Sequence, residues 1–276
     1  MTMLPILFTR RKYTLFLLIL SLLTSSAYAA NDTNLVEKVA LERIEKILSH
    51  YKQYLDKGTY DGKDFRHYQI TPQSRYATFK EAFTRFARNR GKIVVETGTS
   101  RSFVTGGLPG CLSSDPQYWN PYKPENWDWG AGIFTRVAAE CLASLNPQIH
   151  TIDIIAEHIS RCKIMTEDFK GIIEYHVASS VDFLKKCDLV GKIDLLYLDA
   201  GDTGEECAKL QLQEVRTVVK RGLMSPHGLI LIDDVKVLTT ADDTTALGKA
   251  KYSIPFLLNN GFEIVMDEYQ VLLRKK

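Results

Sequence analysis

What this sequence has little of narrows it first. Its 276 residues hold five cysteines and six histidines. No two cysteines stand as Cys-x-x-Cys, and the histidines at 50, 67, 150, 158, 176 and 227 show no metal-type spacing, which argues against a zinc-organised fold. The Gly-x-Gly-x-x-Gly loop that cradles a dinucleotide pyrophosphate is missing, so a Rossmann-type oxidoreductase is disfavoured. The formal charge is only +2, which gives no general attraction to nucleic acid or to an anionic membrane. There is no internal repeat and no low-complexity tract. What remains, 45% hydrophobic and 25% charged, has the composition of a globular chain of one larger domain with an accessory segment.

The first residues differ from the rest. Arg10, Arg11 and Lys12 precede the apolar run Leu15 to Leu23, and Ala27-Tyr28-Ala29 places small residues where a signal peptidase reads. Residues 1–29 are expected to be a secretory signal peptide and the mature protein to be exported, periplasmic or secreted. The apolar core is shorter than the ~18–20 residues of a spanning helix, so an N-terminal membrane anchor is the second reading, and no stable membrane insertion is expected after cleavage. Thr9 to Leu15 also distantly resembles a twin-arginine signal, with Tyr13 and Thr14 departing from it. Cleavage would take the charge from +2 to −1, because residues 1–29 carry three basic residues and no acidic one. All five cysteines lie in the mature part. They are expected to be mostly apolar filler, with a disulfide clip as the alternative.

Leu35, Val39, Ile44, Leu48, Tyr51 and Leu55 recur at three- and four-residue spacing and predict a helix over 34–56; Phe79, Ala82, Phe83 and Phe86 predict a second over 72–89. Together they make an N-terminal helical extension, residues 30–91, followed by a main domain over 92–276. That domain opens with Ile93-Val-Val, Glu96 and then Gly98-Thr99-Ser100, an apolar strand breaking into a small-residue turn behind an acid. Later apolar strands end in acids too. Asp153 closes Gln148–Ile154, Asp199 and Asp202 close Ile193–Leu198, and Asp233 and Asp234 close Leu229–Ile232. Strands alternate with helices, which implies a doubly wound, mainly parallel α/β sheet covered on both faces, with its strand-end acids facing one crevice. Residues 106–132 form a long loop containing Tyr118, Trp119, Tyr122, Trp127 and Trp129, read as a lid or a substrate-recognition loop, or as packing over the N-terminal helices.

In that order these segments resemble class I S-adenosylmethionine-dependent methyltransferases, and among them the metal-dependent small-molecule O-methyltransferases. The resemblance runs from Lys92 to the C-terminus and implies a Rossmann-like methyltransferase fold with an antiparallel last strand. It implies S-adenosyl-L-methionine as cofactor, held by Glu96, Gly98, Thr99, Ser100 and Asp153, with Ser179 and Ser180 near the adenine and Asp199 at the same crevice. It further implies a divalent ion such as Mg2+ on Asp199, Asp233 and Asp234, lowering the pKa of an acceptor oxygen. The alternative for those acids is that they cap a strand end and a helix. The chain departs from the family at the base: Asp202 stands where catechol-type members carry a lysine, and Lys236 where other members place a histidine. Asp202 and Lys236 are therefore the candidate catalytic residues. The expected partner is a small-molecule acceptor, with the N-terminal helices covering the crevice or forming a homodimer contact. An exported ligand-binding protein that keeps the fold without turnover is the competing reading.

Overall fold

The computed structural model describes residues 35–52, 55, 75–99, 120–122, 133–201, 204–235 and 247–276. The expected signal segment 1–29 and most of the loop 106–132 lie outside them. Contacts divide the chain into Met1–Val39 and Ala40–Lys276. The first unit contributes to the described residues only the helical opening 35–39 of α1 (residues 35–52). Among the described residues no helix is long and apolar enough to cross a membrane.

From Ala40 onward the buried residues of α1 are Ala40, Ile44, Leu48 and Tyr51, a single stripe at the helical repeat. α2 (Tyr76–Arg88) buries Phe79, Ala82, Phe83 and Phe86 in the same way. On its polar face Lys80 pairs with Glu45, both exposed side chains, and Arg85 pairs with Glu81, both half-buried. The elements that follow are β1 (Ile93–Thr97), α3 (Ile133–Leu142), β2 (Gln148–Asp153), α4 (Ala156–Met165), β3 (Ile173–Val177), α5 (Ser180–Lys186), β4 (Ile193–Leu198), α6 (Glu205–Arg221), β5 (Met224–Ile232), α7 (Ser253–Leu258), β6 (Phe262–Asp267) and β7 (Val271–Lys275).

The seven strands form one sheet in the order β3-β2-β1-β4-β5-β7-β6. β1 to β5 pair in parallel, and β7 runs antiparallel to both β5 and β6. This is the Rossmann-like methyltransferase sheet implied by the resemblance, with the antiparallel strand inserted next to last rather than at the edge. Alternation along the central strands feeds two cores. Val94, Leu195, Tyr197 and Leu231 pack under α1, α2 and α3, while Val95, Leu196, Leu198, Ile230 and Ile232 pack against residues of α5, α6 and α7. Phe134 of α3 stacks on Tyr197 with ring centroids 4.0 Å apart, fixing α3 over β4. Two short helices escaped the periodicity. α5 has seven residues and α7 six, too few for a 3.6-residue pattern to show. No disulfide links Cys141, Cys162, Cys187 and Cys207, which are free.

Candidate cofactor crevice

The chain winds outward from β1 through β2 to β3 and then returns to β4 on the other side of β1, so the sheet's switch point lies between β1 and β4. Backbone hydrogen bonds align the carboxyl ends of the strands in one row. Ala178 N donates to Asp153 O (2.9 Å), Gly98 N to Ile152 O (2.8 Å), Asp199 N to Thr97 O (3.0 Å) and Asp233 N to Leu198 O (3.1 Å). Asp153, Gly98, Asp199 and Asp233, scattered over 136 positions of sequence, thus share one edge.

Gly98 makes that row possible. Its φ is +80°, and a Cβ built on it would lie 2.6 Å from Ala200 Cα and 2.7 Å from Ala200 N and Asp199 O. The turn after β1 therefore rests directly on the turn after β4, an approach open only to glycine.

Asp153 ends β2 with its Oδ1 accepting from Ile155 N (2.8 Å) and its Oδ2 3.2 Å from His158 Nδ1. A carboxylate has about four lone-pair sites, so acceptor capacity remains for a diol. Ser179 caps α5 by accepting from Asp182 N at 3.4 Å, and Ser180 is buried. Ser100, Asp202 and Lys236 lie outside the described residues. Of the loop, Tyr122 is described, and it donates to Asp168 (2.9 Å) with the Arg136 guanidinium 5.9 Å from its ring centre.

Glu96 and Thr99 differ from expectation. Both are buried, with their side chains engaged inside the fold. The Glu96 carboxyl group is enclosed by the hydroxyls of Thr135, Thr151 (2.7 Å) and Thr99 (3.5 Å). Burial pushes its pKa up to about 8, against the lowering effect of the Thr135 and Thr151 hydroxyls. The folded protein therefore keeps a proton that the unfolded chain gives up near 4.5, so stability falls as pH rises from about 4.5 to about 8. Glu96→Gln should flatten this stretch of the profile, gaining at least ~2 kcal/mol on the wild type between pH 5 and pH 9 in urea denaturation. Parallel profiles would show that Glu96 is ionised in the fold.

At the other end of the row, Asp199, Asp233 and Asp234 do converge, with ligand-type oxygens all within 4.8 Å of one another. Two buried cations already hold them. Lys249 Nζ lies 2.8 Å from Asp199 Oδ1 and 3.1 Å from Asp234 Oδ2, with its side chain wholly buried. Arg75 grips Asp233 as a fork, Nε to Oδ1 at 3.0 Å and Nη2 to Oδ2 at 2.8 Å, and reaches Asp234 at 3.5 Å. Burial alone would lower the Arg75 pKa; Asp233, Tyr269 and Tyr197 outweigh it and keep the guanidinium charged. Gln270 donates to Asp233 (2.9 Å), and the Tyr269 hydroxyl donates to Asp234, whose backbone is held at φ +52°. A positive φ at a non-glycine residue marks a backbone held by its surroundings.

A divalent ion bound to Asp199 and Asp234 at the usual ~2.0–2.6 Å would need the volume that the Lys249 ammonium fills. The metal role expected for these acids therefore does not fit the residues present: they form a charge-paired network with Lys249 and Arg75. Neither cation carried a sequence signal. Lys249 lies in a short 3-10 turn, Gly248–Ala250, and Arg75 just ahead of α2.

No family model and no curated protein matches the chain. Among solved structures it is similar to the SAH-bound methyltransferase PaMTH1 of Podospora anserina, at 15% identity over 100% of this chain and 99% of that one, TM-score 0.49. It is also similar to a putative O-methyltransferase from Klebsiella pneumoniae (12% identity, 83% and 89% covered, TM-score 0.49). An O-methyltransferase from Bacillus cereus in complex with SAH is a third (12% identity, 86% and 91% covered, TM-score 0.47).

Proposed function

We propose that this chain is an S-adenosylmethionine-dependent methyltransferase that methylates an oxygen of a small hydroxylated molecule. The observation that carries this reading is the row of carboxylates at the strand ends. Among the described residues that edge carries four carboxylates, Asp153, Asp199, Asp233 and Asp234, facing the two cations Lys249 and Arg75, an excess of acid. A negative crevice attracts a sulfonium cation and repels a dinucleotide pyrophosphate. Asp153 would take the ribose hydroxyls, and the Gly98 turn would let the backbone close on the methionine end. When bound, the cofactor supplies an electrophilic methyl group.

The chain's own part is to hold the acceptor in line and to take its proton. Asp199 is the most open of the three clustered acids, its side chain 18% exposed against 2% for Asp233 and 9% for Asp234. Its Oδ1 is held by Lys249, and its Oδ2 is 3.5 Å from the Tyr197 hydroxyl. Asp199 is thus the carboxylate best placed to accept a hydrogen bond from an acceptor hydroxyl, with Lys249 and Arg75 in place of a divalent ion as the balancing charge.

Calorimetric titration with S-adenosylmethionine, S-adenosylhomocysteine and NAD tests the reading. Saturable binding of the first two and none of NAD is expected. Asp153→Ala should weaken it by about 10-fold or more, the loss of charge-assisted hydrogen bonds worth ~1.5–3 kcal/mol. Binding of NAD alone would sink the proposal.

We further read residues 1–29 as an export signal. Mass spectrometry of protein from the fractionated host should find Ala30 as its first residue; an intact Met1 in the soluble cytosolic fraction would refute export.

A further inference from the structure

Away from the carboxylate row, parallel pairing brings together three side chains that the sequence keeps apart. β2 and β3 are in a register that sets His150 opposite Glu174 and Ile152 opposite His176. Glu174 and His176, two residues apart on one strand, project from the same face of the sheet. On that face His150 Nδ1 lies 3.1 Å from His176 Nε2 and 3.4 Å from Glu174 Oε2, and His176 Nε2 lies 3.9 Å from the same carboxylate oxygen. The Phe183 ring of α5 packs against both imidazoles, its centre 5.9 Å from that of His150 and 4.7 Å from that of His176.

We propose that His150, Glu174 and His176 form a binding site for one divalent transition-metal ion. Ligand atoms at ~2.0–2.2 Å from a tetrahedral ion lie ~3.3–3.6 Å from one another, and the three observed separations bracket that span. Two imidazole nitrogens and one carboxylate are the donor set of Zn2+, Ni2+ and Cu2+ rather than of Mg2+ or Ca2+, which take oxygen. The geometry leaves a way in. The His150 side chain is only 7% exposed, but those of His176 and Glu174 are 27% and 50% exposed, so an ion arrives from solvent and keeps water on its remaining positions. Strands β2 and β3 would be cross-linked just before the ends that carry Asp153 and Ala178, at the outer end of the row where Ser179 caps α5.

Full-length protein should be titrated with Zn2+ and Co2+ by calorimetry, with Mg2+ as the control and the visible spectrum of bound Co2+ as a second readout. One ion per chain is expected to bind, giving the intense absorption of low-coordinate Co2+, while Mg2+ gives no heat at this site. Outer-shell changes cost metal affinity ~10–100-fold, so loss of a ligand in His176→Ala should cost at least ~100-fold, and Glu174→Gln should weaken binding as well. Both residues are partly exposed, so these variants test the site even if the buried His150→Ala fails to fold. The absence of Zn2+ or Co2+ binding would overturn the proposal and leave the histidines as an inter-strand hydrogen bond. So would binding that both variants leave unchanged, which would put the ion elsewhere, for instance on Cys187 or Cys207.

Discussion

Lys249→Met should lower the stability of the protein by about 3–5 kcal/mol, because it removes one partner of a buried ion pair and leaves the others facing each other. The Lys249 ammonium, wholly buried, is within 3.1 Å of carboxylate oxygens on both Asp199 and Asp234. Methionine keeps much of the side-chain volume, so what is tested is the charge. For a domain of this size the loss corresponds to a fall in Tm of ~10 °C, which a thermal melt reads directly. The response to divalent ions should reverse as well. In the wild type millimolar Mg2+ should shift neither Tm nor turnover, and turnover should survive a chelator, since the cation position beside these carboxylates is filled by the chain itself. In Lys249→Met the freed carboxylates become an oxygen site for a hard cation, and Mg2+ should recover part of the lost stability by mass action. A wild type that loses turnover in chelator, together with a Lys249→Met variant as stable as its parent, would reinstate the divalent ion and reduce Lys249 to a bystander.

The acids of this network were legible in the sequence and its cations were not, for a physical reason. Asp153, Asp199 and Asp233 each close an apolar strand, with Asp234 directly after Asp233, and a doubly wound sheet gathers the carboxyl ends of its strands on one edge, so their convergence follows from local pattern and one topological rule. Arg75 reaches Asp233 across 158 residues from the start of the helix expected over 72–89, and Lys249 reaches Asp199 across 50 from a segment without periodicity; nothing local marks either as buried. The same holds for the Glu96 network, whose Thr135 and Thr151 come from α3 and β2. There the sequence shows an acid beside a glycine turn and invites a ligand, whereas the fold answers it with hydroxyl groups. His150 and His176 are 26 residues apart and meet only through the β2–β3 register, so a search for metal spacing along the chain passes over them. Of the helices, α5 and α7 were missed for shortness alone. That the last strand runs antiparallel was implied by the family resemblance; its place between β5 and β6 was not, and no periodicity encodes it.

Gly98→Ala is expected to be as damaging as the loss of Lys249, by a route that involves no charge. At φ +80° any L residue is strained, at a cost of order 1–3 kcal/mol before contacts are considered. The added methyl would then stand 2.6 Å from Ala200 Cα and 2.7 Å from Asp199 O, and these are backbone atoms that no rotamer change can move aside. Relief requires the turn after β1 to withdraw from the turn after β4, which pulls on the Gly98 N to Ile152 O and Asp199 N to Thr97 O hydrogen bonds that align the strand ends. Overpacking of this kind typically adds ~1–3 kcal/mol, so a total loss of about 3–5 kcal/mol is expected in chemical denaturation. The displacement falls on the crevice itself. At a temperature where the variant is still folded, its affinity for S-adenosylmethionine should drop more than 10-fold, while Gly191→Ala, also at positive φ but with open space around it, should show the strain cost without the binding loss. Equal binding by wild type and Gly98→Ala would mean that the cofactor does not lie against this turn. The switch point between β1 and β4 would then have to be surrendered as the binding crevice, whatever the variant did to stability.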